Sequence, residues 1–366
     1  MKKRQHVLIL GGGVGGVATA VALRKSFDVT LVTESDFINY ALLPKLFVEN
    51  LNYLNAIIQT KILSSFGIQV YRDTISLIIP SEKKVKTKKG KLFTYDYLII
   101  ALGAEVPIAP HFWSIEGFSQ FQKEAVNFKG GKLVIAVEGI PYRCPPAPFD
   151  IAYRLKRYFE SKSLNVQTII LHPEAKPLIA VGEEVHKKLI QGIEREGIEL
   201  KAAYHIKKID PIERKIENES GELVNYDLLM YVPKHKAPNV VSQSELSTND
   251  GWLNVKKNFR TEKYDDIFGV GDIIAPTLGL PMAAFLALYE AQFVSSLLTN
   301  QEPPNKAEAA CPIEMGSYSF IPFCDFRSKI ENGLPPKCKI IEAEQNFIGF
   351  FRNLIHQRLL SLFSGL

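Results

Sequence analysis

His6-Val7-Leu8-Ile9-Leu10-Gly11-Gly12-Gly13-Val14-Gly15-Gly16 is the stretch on which the fold turns. Apolar residues without alternation read as a strand buried on both faces, the pattern of a parallel sheet. The glycines that follow contain GxGxxG at Gly11, Gly13 and Gly16. They permit a tight turn and let backbone N–H groups approach a pyrophosphate at the positive end of the next helix, predicted over Val17 to Arg24. Phe27 to Thr33 reads as the second strand. Glu34 closes it 18 residues after Gly16, near the spacing of an acid that binds an adenosine ribose. A lone GxGxxG is a weak signal. With strand, helix, strand and terminal acid around it, the reading is dinucleotide binding.

Two further segments favour FAD over NAD. Tyr95 to Ala104 is an apolar strand that runs into a small-Leu-Gly-small turn holding Ala101 and Gly103. Asp265-Asp266-Ile267-Phe268-Gly269-Val270-Gly271-Asp272 is another strand, ending in Gly-Asp. A helix is predicted to begin near Pro281 and run through Met282 to Ala291, with proline suited to its first turn. Together, in this order, the segments resemble the two-dinucleotide-binding-domain flavoproteins of the disulfide-reductase superfamily, over residues 6 to about 300. The resemblance implies that Gly11, Gly13, Gly16, Glu34, Pro44, Ala101, Gly103, Gly271, Asp272 and Met282 line the cofactor, with Asp272 on a ribityl hydroxyl. The helix after Pro281 would point its positive end at the ring, where its dipole favours the anionic reduced form.

The expected fold class is α/β: two Rossmann-like dinucleotide-binding domains plus a C-terminal membrane-docking or interface segment. Residues 1–105 and 251–305 would form the two parts of an FAD-binding domain. Residues 106–250 would form a second, degenerate NAD-like domain, and 306–366 the C-terminal region. The second domain shows strands at Leu133–Val137, Val166–His172, Ile198–Ala202 and Leu228–Val232. Helices are predicted near Phe149–Ser161 and Glu183–Glu194. This alternation calls for a parallel sheet with helical crossovers. Its glycine loop is missing. Val137 runs into Glu138-Gly139-Ile140-Pro141-Tyr142-Arg143-Cys144-Pro145-Pro146-Ala147-Pro148. Prolines remove N–H donors from the place a phosphate needs them, so NAD(P)H is not expected here, and a thiol stands in its place.

Arg143-Cys144-Pro145-Pro146-Ala147-Pro148-Phe149-Asp150 resembles the segment that carries the first redox cysteine of sulfide:quinone oxidoreductases and of flavocytochrome c sulfide dehydrogenases. Ala310-Cys311-Pro312-Ile313-Glu314-Met315-Gly316 is similar to the segment that carries the second. Tyr231-Val232-Pro233-Lys234-His235-Lys236-Ala237-Pro238 is similar to the family's strand and turn before the flavin domain resumes. The resemblance implies oxidation of sulfide, or a related small sulfur species, through Cys144 and Cys311, with electrons passing by flavin to a membrane quinone. Asp150, where flavocytochrome relatives carry a carboxylate, would move protons. Two thiols at a flavin suit this chemistry on their own account, because a thiolate and an accessible disulfide exchange readily. They lie 167 residues apart, so only the fold can bring them together.

The chain departs from the family in three places. Residues 101–143 lack the third cysteine of many sulfide:quinone oxidoreductases. The stretch Tyr40–Phe47, which holds Pro44, lacks the cysteine that attaches flavin in flavocytochrome relatives, so FAD is expected to be non-covalent. Pro281-Met282 stands where the family often has Pro-Lys. Two alternatives remain: a flavin subunit that hands electrons to a cytochrome or soluble carrier, and a catalytically silent flavin-binding partner subunit. A type II NADH dehydrogenase would need the missing second glycine loop. A coenzyme A-disulfide reductase would need a cysteine near Leu42.

Composition narrows the setting. With 366 residues, 46% hydrophobic and 23% charged, the chain is an ordinary globular protein of two or three domains. Its +5 charge is scattered, so no nucleic-acid partner is expected. The four cysteines form no CxxC pair, which argues against zinc. The N-terminus has no signal-peptide pattern and no apolar run reaches 18 residues, so the protein is expected on the cytoplasmic side of the cell membrane, peripherally bound. In that compartment a stable structural disulfide is disfavoured, and Cys324 and Cys338 read as small buried hydrophobes. Over residues 347–366 apolar and polar side chains segregate at helical spacing, the pattern of a helix lying in a bilayer interface. The same face could instead pack on the protein's own sheet or make a homo-oligomer contact. Four methionines and two tryptophans in the whole chain, with abundant Ile and Lys, suggest a thermophile.

Overall fold

The computed structural model describes residues 4–39, 57–107, 109–342, 344 and 347. Pro44, the rest of Tyr40–Phe47 and the expected tail helix beyond residue 347 lie outside the described residues. The chain opens with β1 (His6–Leu10), α1 (Val14–Leu23), β2 (Asp28–Thr33), β3 (Gln69–Arg72) and β4 (Tyr97–Ile100). Next come α2 (Ile115–Val126), β5 (Gly131–Val137), α3 (Ala147–Ser161), β6 (Val166–Leu171), α4 (Glu183–Arg195), β7 (Glu199–Lys201) and β8 (Leu228–Val232). It continues through β9 (Ile267–Gly269) and α5 (Ala284–Leu298), then β10 (Glu308–Ala310), β11 (Phe320–Asp325) and β12 (Lys337–Glu342).

The first sheet is parallel, in the order β9-β4-β1-β2-β3. The chain thus leaves this sheet after β4 and returns to it at β9. Its central strands are continuous apolar runs because both faces are covered: Leu8, Ile9, Leu10, Leu98, Ile99 and Ile100 are fully buried. Each such side chain contributes roughly 1.5–3 kcal/mol of transfer free energy. The second parallel sheet runs β7-β6-β5-β8. The short meander expected between its last strands is present as Ile206–Asp210, Lys215–Asn218 and Leu223–Asn225, paired antiparallel.

Parallel pairing brings the carboxyl ends of all strands in a sheet to one edge, where ligands bind in open α/β sheets. Gly11 follows β1, Glu34 follows β2, Ala101 follows β4 and Val270, next to Gly271, follows β9, so these turns gather at one edge.

Two expectations need correcting. The last helix of the first unit starts at Ala284, not near Pro281. Residue 282 is instead extended and forms a parallel bridge with Arg143, which holds Pro281 and Met282 out of the helix. Cys324 and Cys338 are joined in a disulfide, against the expectation that none would form. They sit directly opposite in the antiparallel pair β11–β12 with Cα atoms 4.0 Å apart, within reach of a cystine.

Candidate active site

The glycine turn is built to admit an anion. Gly11 takes φ +107°, a backbone that L side chains rarely adopt, and a Cβ on it would lie 2.2 Å from the Ala101 carbonyl oxygen. A Cβ on Gly16 would meet the Gly11 carbonyl oxygen at 2.0 Å. The turn, β4 and α1 are therefore in contact with no room between them. Gly13 differs: nothing lies within 4 Å of its missing Cβ, and it begins α1 without a side-chain cap. Open space at an uncapped helix N-terminus is the cradle a pyrophosphate requires. Glu34 is exposed at the end of β2, 3.5 Å from the Thr74 hydroxyl. Gly103, at φ +66°, faces the same edge. These residues fit the adenosine and pyrophosphate of FAD.

The Gly271-Asp272 turn is held from behind. The Gly271 amide donates to Glu290 Oε2 at 2.6 Å. Glu290 projects from α5 and is 1% exposed, and burial pushes its carboxyl well above the usual carboxylate range. Asp272 Oδ2 accepts from Arg143 Nε at 2.7 Å. Sequence reading missed both partners, because neither pairing is encoded by local spacing.

Across the cleft, β5 leads to the proline-flanked thiol. The Cys144 amide donates to the Met282 carbonyl at 2.8 Å, and the Ala147 amide donates to the Cys144 carbonyl at 2.8 Å. Cys144 itself takes φ +57°, uncommon for a residue with a Cβ. Side chains overdetermine the loop. Trp113 Nε1 donates to the Arg143 carbonyl at 2.6 Å. His172 Nδ1 accepts from the Glu174 amide at 3.2 Å, so Nε2 carries the proton and donates to Tyr142 Oη at 3.1 Å. The Tyr142 hydroxyl in turn donates to the Pro145 carbonyl at 3.0 Å. Burial lowers His172 to about 4, which keeps the ring neutral and this chain of bonds consistent in sense. His235 packs edge-on to Trp113. Burial, aided by the Arg143 charge, lowers it to about 4 as well.

Cys311 follows β10. Its Sγ lies 3.4 Å from that of Cys144. Asp150, in the first turn of α3, accepts from the Glu314 amide at 2.8 Å. Arg154, one turn on, pairs with the Glu314 carboxylate at 3.7 Å. The first turns of α3 thus anchor the Cys311 segment through a residue three positions past the thiol. Asp150, expected to move protons, has one oxygen committed to this amide. Met282, expected on the cofactor, offers its carbonyl to the thiol loop, and its side chain is buried at 1% exposure. No helix among the described residues is long and apolar enough to cross a membrane.

Comparison with known proteins gives concordant results. The pyridine nucleotide-disulphide oxidoreductase family model matches residues 5–135. The model for the central part of the sulfide dehydrogenase (flavocytochrome c) flavoprotein chain matches residues 120–233. The chain is 25% identical to mouse mitochondrial sulfide:quinone oxidoreductase, over 86% of this chain and 76% of that one. It is 22% identical to sulfide-quinone reductase of Aquifex aeolicus, over 97% and 90%. The solved structure of the sulfide:quinone oxidoreductase from Aquifex aeolicus superposes with a TM-score of 0.84, covering 99% of this chain and 92% of that one.

Proposed function

Because the chain belongs to the sulfide:quinone oxidoreductase and flavocytochrome c sulfide dehydrogenase flavoproteins, and so is an FAD-dependent oxidoreductase, we propose that it oxidises hydrosulfide through Cys144 and Cys311 and delivers the electrons to a quinone. The observation that carries this reading is the 3.4 Å between two sulfurs 167 residues apart. One of them sits on a loop fastened to the Pro281–Met282 segment in front of α5.

In the oxidised state the two sulfurs form a disulfide. Hydrosulfide attacks Cys311 Sγ; the S–S bond breaks, leaving a Cys311 persulfide and a Cys144 thiolate. A second hydrosulfide takes the outer sulfur, giving HSS⁻ and the Cys311 thiol. Closing the disulfide again releases one proton and two electrons, so the sum is two HS⁻ giving HSS⁻, H⁺ and two electrons. Thiol–disulfide exchange of this kind requires an accessible disulfide and a thiolate nucleophile; both cysteines are partly exposed. FAD supplies the two-electron relay between the thiols and quinone.

Cys144 is the flavin-side sulfur in this reading, because its amide is bonded to Met282 in the extended segment that leads into α5. Asp150 positions Cys311 through Glu314 rather than carrying protons. Gly11, Gly13, Gly16 and Glu34 hold the adenosine and pyrophosphate. Ala101, Gly103, Gly271 and Asp272 hold the ribityl end. FAD is retained without a covalent link: of the four cysteines, two are joined to each other and two face each other. The segregation of apolar and polar residues along the sequence 347–366 supports contact with a membrane surface, from which the quinone would be drawn.

Anaerobic spectroscopy of the purified protein tests the proposal. Sulfide should bleach the visible band of oxidised flavin, and a soluble quinone analogue should restore it. Bleaching by NADH with none by sulfide would sink the reading.

A further inference from the structure

A flavin bound at this edge would be an anion when reduced, a state that a nearby positive charge would favour. Met282 is neutral, and α5 contributes only the dipole of its N-terminus. The missing charge stands on the thiol loop. Arg143 immediately precedes Cys144 and is bridged in parallel register to Met282, so the side chain of 143 starts beside the position where 282 brings none. Its guanidinium reaches toward the cleft. Nε is bonded to Asp272 Oδ2 at 2.7 Å, and an Nη atom lies 3.9 Å from where a Cβ on Gly103 would be. Asp272 and Gly103 belong to the two strand ends that flank the ribityl side of the site. The side chain is 30% exposed, too enclosed for bulk water to screen it fully. Its field also reaches His235 and His111, both of which it helps to keep neutral.

We propose that Arg143 is the cation of the flavin site, supplied from the thiol loop in place of one on residue 282, so that one loop presents both the redox sulfur and the charge that favours reduced flavin. The proposal rests on the flavin lying at the Asp272–Gly103 edge, as in the reading above, but not on sulfide being the substrate. Asp272 holds the guanidinium through Oδ2, which leaves Oδ1 for a ribityl hydroxyl. Arg143 and Asp272 therefore serve the same cofactor from opposite sides of the cleft.

The test is the two-electron midpoint potential of bound FAD, measured with dithionite rather than sulfide. Arg143→Gln should favour the reduced flavin about tenfold less, a potential lower by about 30 mV for a two-electron couple. Adding Met282→Lys to Arg143→Gln should restore it. If Arg143→Gln loses FAD outright and the double variant retains it, the assignment stands; if both lose it, the assignment fails. An unchanged potential with a raised KM for sulfide would mean that the guanidinium serves the substrate, and would overturn the proposal. Wild-type protein that fails to bleach with sulfide, yet shows the potential shift in the variant, would sink the sulfide reading and leave this one intact.

Discussion

The two parallel sheets solve the same topological problem in opposite ways. In the first, β1 passes to α1 through three residues, 11–13, all glycine. In the second, β5 passes to α3 through nine residues, 138–146, three of them proline. A short glycine turn directs the amides of a helix N-terminus at an anion. A long proline loop, with Pro146 capping the helix and Pro148 within its first turn, removes amides and lifts a side chain into the cleft instead. In the second unit Trp113, Tyr142, His172 and the Met282 carbonyl hold the Cys144 loop in the place that the glycine turn occupies in the first. A Rossmann crossover thus fixes a place, and the loop composition decides whether backbone or side chain acts there.

The sharpest break of this comparison is one methyl group in each unit. Gly16→Ala would place a Cβ 2.0 Å from the Gly11 carbonyl oxygen, and the purified protein should carry no FAD. Gly139→Ala, in the corresponding connection of the second unit, meets only the flexible Lys234 side chain at 3.4 Å and should purify with full flavin. Flavin content per chain, read from the visible spectrum, decides it; equal retention by both variants would erase the distinction drawn between the loops.

The next contrast separates the cysteines. Cys311→Ser should abolish sulfide-driven bleaching while dithionite still reduces the flavin. Cys338→Ser opens the Cys324 disulfide, which spans a separation of 14 residues, and should lower stability by about 3 kcal/mol with bleaching preserved. Stopped-flow spectra and chemical denaturation of the two variants check this, and identical bleaching kinetics would discredit the pair.

A further contrast is the acid sensitivity of the second unit's scaffold. His172 and His235 are buried neutral and lowered to about 4, against about 6.5 in an unfolded chain. Between those values the unfolded chain binds more protons than the folded one, so stability falls as pH drops from about 6.5 to about 4. No loss from these rings occurs above 6.5. Each contributes on the order of 3 kcal/mol to that loss. Denaturation midpoints across this range should decline in the wild type and decline less in His172→Gln; parallel profiles would show that the ring titrates normally.

Legibility differed between the units for a physical reason. The glycine cradle, Glu34, the Ala101–Gly103 turn and the Gly271–Asp272 turn were readable because dinucleotide binding depends on local backbone geometry, which short motifs encode. The thiol segments were legible through their resemblance to the family's redox-cysteine segments, with the prolines around Cys144 marking an unusual loop. Arg143, Trp113, His172 and Glu290 passed unnoticed, since each acts on a residue 19 to 129 positions away. The helix expected at Pro281 was misplaced because proline suits a first turn equally well as it suits an extended strand, and a bridge to Arg143 decided between them. The Cys324–Cys338 bond was not legible because the compartment expected from the N-terminus disfavours a disulfide, whereas the cross-strand register that sets the two residues opposite each other exists only in the fold.

The amino-acid sequence by itself determined the α/β architecture, the glycine cradle and the absence of a second phosphate loop, because periodicity and backbone-permissive residues act over a few positions. Only the tertiary structure decided that Cys144 meets Cys311 and that Arg143 meets Asp272. Contacts between residues more than a hundred positions apart depend on how two sheets and a C-terminal strand are stacked, and that stacking is set by the summed burial of many apolar side chains rather than by any one motif.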